Sequence, residues 1–275
     1  MPSAYQRWLD NAERRGVPSA RIDEIARVHS ITAASFAVLE RAELIGDGGE
    51  QSYFLLPPGI GGCDAQAAVL MAYVYNAGTD YGRGGRPADF PPTPYGADEL
   101  ARIVGRQHAN RWSYRQDVRL IDRNGGRLVA TPNGILMAVL SGRRQMVRLL
   151  SQRGGTAWGD IFVVNAGRRG DPAELARAIV ESRHAWCADR GGRTVETSLD
   201  LDRVLHHEER HSQQWAAKGY LGMIRAYSMQ LIREAVLGAT NRLEADAGLS
   251  DGGYPVTRPV SPAPTRRTRG HATNA

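Results

Sequence analysis

Apolar residues recur at every third or fourth position in three segments between residues 4 and 46. This spacing predicts three short amphipathic helices, with a break at Gly16-Val17-Pro18-Ser19 between the first two. A glycine-rich turn and the short apolar run 52–56 follow, which predicts a strand. Three helices and a strand in this order also fit a winged helix-turn-helix, although we favour a helical cap on the domain that follows.

The middle of the chain alternates between apolar runs and glycine-rich connections. Residues 64–75 and 97–107 predict two helices. The long loop 78–96 between them is rich in glycine and proline, and a loop of this length suggests a lid over a substrate cleft. Asn124-Gly125, flanked by apolar residues on both sides within 118–130, predicts a β-hairpin.

Four further segments lead into the last third of the chain. Residues 135–140 fit either a strand or a helix, and 146–151 predict a short helix. Residues 158–165 are the strongest strand candidate. An Asp-Pro pair opens the helix predicted over 171–187, because aspartate caps a helix well and proline is tolerated at its first position.

From Ser198 onward the pattern is helical again, and one face of this helix mixes apolar and ionisable residues. Its members have heptad-like spacing: Leu201, Val204, Leu205, Glu208, His211 and Trp215. Burying an unpaired carboxylate costs several kcal/mol, so Glu208 needs a compensating charge if this face is the core face. A metal ion would supply it. Gly219 is predicted to end the helix, and a second one to run to about Leu243 with a kink near Gly238.

The same helix contains His207-Glu208-x-x-His211. Residues four apart lie one above the other on a helix, so both imidazoles can reach one ion and Glu208 can hold a water beside it. A catalytic zinc site uses three protein ligands and an open position. The metzincin spacing is absent, because Ala217 stands six residues after His211. The candidates for a third ligand are therefore acidic residues further along: Glu234, Glu244 and Asp246.

The segment 207–214 has the pattern H-E-x-x-H-x-x-Q, and 241–247 has the pattern N-x-x-E-x-x-A. Together they resemble the zincin-like metalloprotease domains of bacterial proteins, over about residues 155–250. Arg210 departs from that pattern, since many relatives have glycine directly before the second histidine. The group also includes domains without a demonstrated substrate, so the fold alone does not imply peptidase activity.

The resemblance implies an α+β fold of the zincin type, mostly helical with a small sheet, in which an active-site helix is followed by a ligand-bearing helix. It implies that His207, His211 and Glu244 bind Zn²⁺ and that Glu208 is the general base. Three further residues are expected around the ligands: Gln214, Asn241 and Asp246.

The implied reaction is metal-assisted hydrolysis of a peptide bond. Zinc lowers the pKa of a bound water toward about 7, and Glu208 takes the proton and passes it to the leaving amine. We expect the strand near 160–165 to align an extended peptide by β-addition. Tyr227 and Tyr254 are candidates, by residue type, for stabilising the oxyanion.

The composition is that of an ordinary globular protein, with 42% hydrophobic and 23% charged residues in a chain of 275. A net charge of +6 would suggest nucleic-acid binding, but four of these charges are arginines beyond Tyr254, where no acidic residue occurs. The remaining chain carries only +2. We therefore expect a peptide or protein substrate as the partner, and not a nucleic acid.

The two cysteines, Cys63 and Cys187, lack the C-x-x-C spacing of redox or zinc sites. We expect buried free thiols, with one disulfide as the alternative in an exported protein. The glycines beside Cys63 raise the further hypothesis of a thiolate that caps the zinc in a latent form. No Sec-type signal and no apolar run of about 18 residues occurs, so we expect a cytoplasmic protein without a membrane span. Export by a non-Sec route stays open.

These patterns divide the chain into four segments: a helical N-terminal segment (1–60, with a winged helix as the alternative), an α/β region (61–154), a zincin-like domain (155–250) and a disordered tail rich in proline and arginine (251–275). The predicted function is a zinc-dependent metallopeptidase. A catalytically inert zincin-like domain and a DNA-binding or regulatory module are the alternatives. The oligomeric state is not predicted.

Overall fold

The computed structural model describes residues 2–46, 51–79, 89–91, 93–140, 155–165, 170–189, 193–237 and 240–254. Four predictions fall outside these residues: the helix at 146–151, most of the loop at 78–96, the kink near Gly238 and the tail beyond residue 254. The described chain combines helices with a mixed sheet, so the predicted α+β class is confirmed.

The main sheet contains six strands in the described part of the chain. They are β1 (Glu43–Gly46), β2 (Ser52–Leu55), β3 (Arg127–Ala130), β4 (Leu136–Leu140), β5 (Gly155–Trp158) and β6 (Ile161–Asn165). Their order is β1-β2-β3-β4-β6-β5, and only the β4–β6 pair is parallel. This sheet is larger than predicted, and it takes strands from each of the segments 1–60, 61–154 and 155–250.

Helices cover one face of the sheet: α1 (Ala4–Arg14), α2 (Ser19–Val28), α3 (Ala37–Glu40), α4 (Gly62–Tyr75), α5 (Ala97–Ala109) and α6 (Val118–Arg123). The other face packs against α7 (Pro172–Ser182) and the start of α8 (Leu201–Leu237). Alternate residues of a strand point to opposite faces. Ala138 and Val163 therefore face the first core, and Met137 and Val164 the second.

The predicted hairpin at 118–130 is wrong in its first half, which forms α6. Val118 and Ile121 are buried while the two residues between them are exposed, which is helical spacing. The strand propensity of these residues is overridden by packing. Gly125, with φ of +74°, turns the chain out of α6 toward β3.

The edge strand beside α8 also differs from the prediction. The strand near 160–165 is β6, which lies between β4 and β5, so β5 forms the edge. The helix predicted to reach 187 ends at Ser182, where Arg183 adopts a left-handed conformation with φ of +61°. A separate two-stranded sheet follows, formed by β7 (His184–Ala188) and β8 (Thr194–Asp200).

The C-terminal helices follow the predicted order. Helix α8 breaks at Gly219, which has φ of +69° and ψ of 170°, as the sequence predicts. Helix α9 (Arg242–Ala247) begins after Asn241, whose side chain caps it by accepting a hydrogen bond from the Leu243 N–H. None of the helices in the described ranges has the length and apolar content needed to cross a bilayer.

Candidate metal centre

The first half of α8 buries ionisable residues in the core, as its sequence pattern predicts. Leu201, Val204, Leu205, Glu208, His211 and Trp215 are all buried. His207 joins them, at 2% exposure. Asn133 fixes the helix backbone by donating from Nδ2 to the Leu205 carbonyl at 2.7 Å.

Three side chains converge at this face. The Nε2 atoms of His207 and His211 are 3.1 Å apart. Glu244, on α9, places Oε2 at 3.3 Å from the first nitrogen and 3.2 Å from the second. This buried group could hold a metal ion.

The contacts of Nδ1 of His207 show which of its two ring nitrogens carries the proton. Nδ1 of His207 lies 3.0 Å from the Ala247 carbonyl oxygen and 2.9 Å from that of Gly248. A carbonyl oxygen only accepts, so Nδ1 of His207 must carry the proton and donate. Its Nε2 therefore presents a lone pair toward His211 and Glu244.

His211 is oriented through Gln214. The Gln214 amide nitrogen donates to the Leu243 carbonyl and to Asp246 Oδ2, both at 2.9 Å. This fixes the amide orientation and leaves Gln214 Oε1 to accept from Nδ1 of His211 at 2.9 Å. Such outer contacts orient metal ligands and raise their basicity.

The three donor atoms, Nε2 of His207, Nε2 of His211 and Oε2 of Glu244, form a triangle that has the size of one face of a tetrahedral zinc site. With donor distances of about 2.0–2.1 Å, the donors of a tetrahedral ion are separated by about 3.3–3.4 Å. The observed edges are 3.1, 3.2 and 3.3 Å. A metal ion fits both this spacing and the convergence of three acceptor atoms, and three ligands leave the fourth position of a tetrahedron open.

The electrostatics of the triangle also favour a cation. Burial would lower the pKa of His211, but the hydrogen bond to Glu244 and the nearby charge of Glu208 outweigh it and raise the pKa to about 9. Burial would likewise raise the pKa of Glu244, yet its close contacts with His207 and His211 hold it well below its usual range. A positive charge is thus stabilised between the three side chains.

Glu208 lies beside the triangle without belonging to it. It is 7% exposed, and its Oε2 atom has no hydrogen-bond partner. Burial raises the pKa of this carboxyl, while the two histidines and the Ala157 N–H of β5 act in the opposite direction. A buried polar atom without a partner is costly and calls for a ligand or water at that place.

The other predicted residues have separate positions. Asn241 caps α9, and so positions Glu244, through its hydrogen bond from the Leu243 N–H. Asp246 reaches His211 only through Gln214. The side chain of Glu234, the alternative third ligand, lies outside the part that the structure describes.

An aromatic cluster holds α8 against β5. Trp215 donates from Nε1 to the Ala157 carbonyl at 3.0 Å. Its ring packs edge-on against Trp158 with centroids 5.0 Å apart, and Trp112 and Tyr220 complete the cluster. One carbonyl of the edge strand is therefore already engaged by the helix.

A buried charge network that the sequence does not reveal anchors the same helix. Arg106 on α5 donates to Asp160 Oδ1 at 3.1 Å and to Glu209, which follows Glu208. Arg102 reaches Glu209 at 2.9 Å. The network links the β5–β6 turn to α8, so it fixes the edge strand relative to His207 and His211.

Residues 248–254, which we call the C-terminal strap, lie against the site, although 251–254 were assigned to the tail. Arg203 donates from Nε to Asp251 Oδ1 at 2.7 Å in a buried ion pair. Gly252 approaches His207 so closely that a Cβ atom would lie 2.6 Å from its ring. The Tyr254 ring centroid is 5.9 Å from that of His207. Burial and the nearby charge of Glu244 raise the pKa of the Tyr254 hydroxyl.

The last four residues singled out by the sequence have different surroundings. Tyr227 is half-buried at the edge of the aromatic cluster. Arg210, the departure from the zincin-like pattern, stacks over the Phe90 ring at 4.7 Å. Both cysteines are free, as expected, but neither is buried: Cys63 is exposed and Cys187 is half-buried. Cys187, and not Cys63, lines the pocket beside His207 and Glu208.

Comparisons with known proteins give no match to a family model, a curated protein or a solved structure. The assignment of a function therefore depends on the geometry and chemistry of this site.

Proposed function

We propose that the protein is a zinc-dependent metallopeptidase of the zincin type, acting on an extended peptide or protein. The observation that carries this proposal is the convergence of three acceptor atoms, from His207, His211 and Glu244, with edges of 3.1–3.3 Å. Imidazole and carboxylate donors in tetrahedral spacing suit zinc, and three protein ligands are typical of a catalytic site.

The chain would contribute a base and a fixed geometry to the reaction. Zinc, when bound, supplies Lewis acidity that acidifies a water and polarises a carbonyl. Glu208 would take up the proton at Oε2, which no hydrogen bond occupies, and return it to the leaving amine. Tyr254, which the strap places against His207, would donate to a developing oxyanion.

The strand that would align the substrate is β5, because it forms the edge of the sheet beside α8. An extended peptide that adds to this edge would pass over Glu208. Both backbone groups of Ala157 face α8, the carbonyl bonded to Trp215 and the N–H beside Glu208, so the added strand would pair with the part of β5 before Ala157. We keep the cytoplasm as the proposed compartment, since both thiols are free.

The alternatives differ from this proposal in ways that can be measured. A catalytically inert zincin-like module would bind zinc without hydrolysing peptides. A winged-helix function needs a β-hairpin that is available to DNA, whereas β2 of the β1–β2 hairpin is paired with β3 inside the sheet.

Hydrolysis of a blocked-peptide library, followed by mass spectrometry with and without chelator, tests the proposal. We expect zinc-dependent cleavage by the wild-type protein and by Glu43→Gln, which changes an exposed carboxylate on β1. Glu208→Gln is expected to keep zinc and lose hydrolysis. Cleavage that survives chelation or Glu208→Gln would contradict the mechanism, and zinc binding without cleavage of any peptide would favour the inert module.

A further inference from the structure

A pocket of about 100 Å³ lies beside the metal ligands. His207 and Glu208 form one part of its wall, and Gly252 and Tyr254 of the C-terminal strap form another. The pocket therefore begins where the scissile bond would lie in the proposed reaction. It lies between the main sheet and the β7–β8 hairpin, whose residues also line it.

The walls of this pocket are apolar away from the metal ligands. Phe162 and Val164 line it from β6, Trp186 from β7 and Leu199 from β8. Among the described lining residues, none other than His207 and Glu208 is an acidic or basic side chain. Burying a charged group against such walls would be costly, whereas an apolar group would gain from leaving water.

The size of the pocket limits what it can hold. A water molecule needs a cavity of roughly 10–15 Å³, and an engineered cavity of about 150 Å³ lined by apolar residues binds benzene. At about 100 Å³, the pocket is large for water and small for an indole ring. A side chain of the size of valine, leucine or methionine fits between these limits.

We propose that this pocket is the specificity pocket of the protein, and that it selects peptides with a medium-sized aliphatic residue next to the scissile bond. The inference rests on the proposed peptidase function for its substrate class, but the pocket itself can be tested without catalysis. One methylene in an apolar pocket changes kcat/KM by about 10–200-fold, so a leucine peptide should exceed its glycine counterpart at least tenfold.

Ala185 offers a way to close the pocket, because it lines the wall on β7. Ala185→Leu should reduce cleavage of a leucine peptide at least tenfold and leave the glycine peptide nearly unchanged. Ala188→Leu is the matched control, since Ala188 lies on the same strand with similar exposure but does not line the pocket. A loss of folding would reduce the cleavage of both peptides equally. The ratio of the two cleavage rates therefore separates a closed pocket from a folding defect.

Cys187 provides a readout that does not depend on hydrolysis. It lines the pocket, and replacing Cys63 by serine leaves it as the only thiol. The experiment uses Cys63→Ser/Glu208→Gln protein loaded with zinc and measures the alkylation rate of Cys187. The probes are blocked pentapeptides Ac-Gly-Gly-Xaa-Gly-Gly-amide in which the central residue is leucine, glycine, aspartate or tryptophan.

We expect the leucine peptide to slow alkylation at least fivefold, the other three to have little effect, and Ala185→Leu to remove the protection. Equal protection by all four peptides, or by none, would overturn the specificity pocket. If only the leucine peptide protects Cys187 and the protein with Glu208 intact hydrolyses no peptide, the pocket assignment is retained and the peptidase function is rejected. Hydrolysis without a preference for aliphatic residues would retain the peptidase function and reject the specificity pocket.

Discussion

Arg106 is the residue whose loss we expect to destabilise the fold most clearly. Its side chain is 2% exposed and forms ion pairs with two carboxylates, those of Asp160 and Glu209. These two side chains are 0% and 4% exposed, respectively. The variant Arg106→Met removes the charge and keeps an unbranched side chain. Asp160 is then left buried with only neutral donors, the Asn110 amide and the Tyr114 hydroxyl.

The expected cost follows from what remains after the substitution. Removing one partner of a buried ion pair costs about 3–5 kcal/mol. Arg102 still pairs with Glu209 at 2.9 Å, so we expect the lower end of this range, about 3 kcal/mol. For a chain of this size, that loss lowers Tm by about 6–12 °C. It is a large part of a typical stability of about 5–15 kcal/mol.

Urea denaturation followed by tryptophan fluorescence measures this loss, and Arg41→Met is the matched control. Arg41 pairs with Asp64 at 2.8 Å, but both side chains are about half exposed. Exposed pairs contribute about 0–1 kcal/mol, so the control should stay close to wild type. Arg106→Met/Asp160→Asn should recover part of the loss, because it removes both charges. A cost below about 1 kcal/mol for Arg106→Met alone would refute the reasoning.

Three further predictions concern the ligands, the strap and pH. Gln214→Ala should weaken zinc binding about 10–100-fold in a competition titration, because His211 loses its acceptor; unchanged affinity would contradict this. Gly252→Ala should also weaken it, since the new Cβ meets a ligand imidazole at 2.6 Å, whereas Gly105→Ala has open space and should not. Burial raises the pKa of Asp117 to about 6. Ionisation of this carboxyl therefore destabilises the fold increasingly as the pH rises from about 4 to 6. After allowance for partial exposure, Asp117→Asn should stabilise the fold by about 1 kcal/mol at pH 7.5 and by less at pH 4.5. The same gain in stability at both pH values would contradict this.

The buried face of α8 with His207, Glu208 and His211 could be predicted because its evidence is local. Helical geometry places His207 and His211 on one side, and the apolar stripe through Glu208 indicates which side is buried. The short pattern around Glu244 pointed to it as the candidate third ligand through the family resemblance, whereas residue type alone left other acidic residues open. In each case the relevant residues lie within one or two helical turns of each other.

The remaining features depend on long-range packing. Arg106 looks like any polar residue of an amphipathic helix, yet its partners lie 54 and 103 residues away. The β7 strand was assigned to α7, because only the left-handed conformation of Arg183 separates them and arginine does not predict it. The strap has no periodicity, and its anchor, Asp251, is recognisable only through its contact with Arg203.

Zinc stoichiometry tests the metal centre most directly. Wild-type, Glu208→Gln, Glu244→Ala and Glu43→Gln proteins would be loaded with zinc, dialysed and measured by elemental analysis, with circular dichroism as the check on folding. We expect one equivalent in all but Glu244→Ala, which should lose most of its metal while remaining folded. Full retention by Glu244→Ala would move the third ligand elsewhere, with Glu234 as the next candidate, and a wild-type protein that binds no zinc would contradict the metal centre itself.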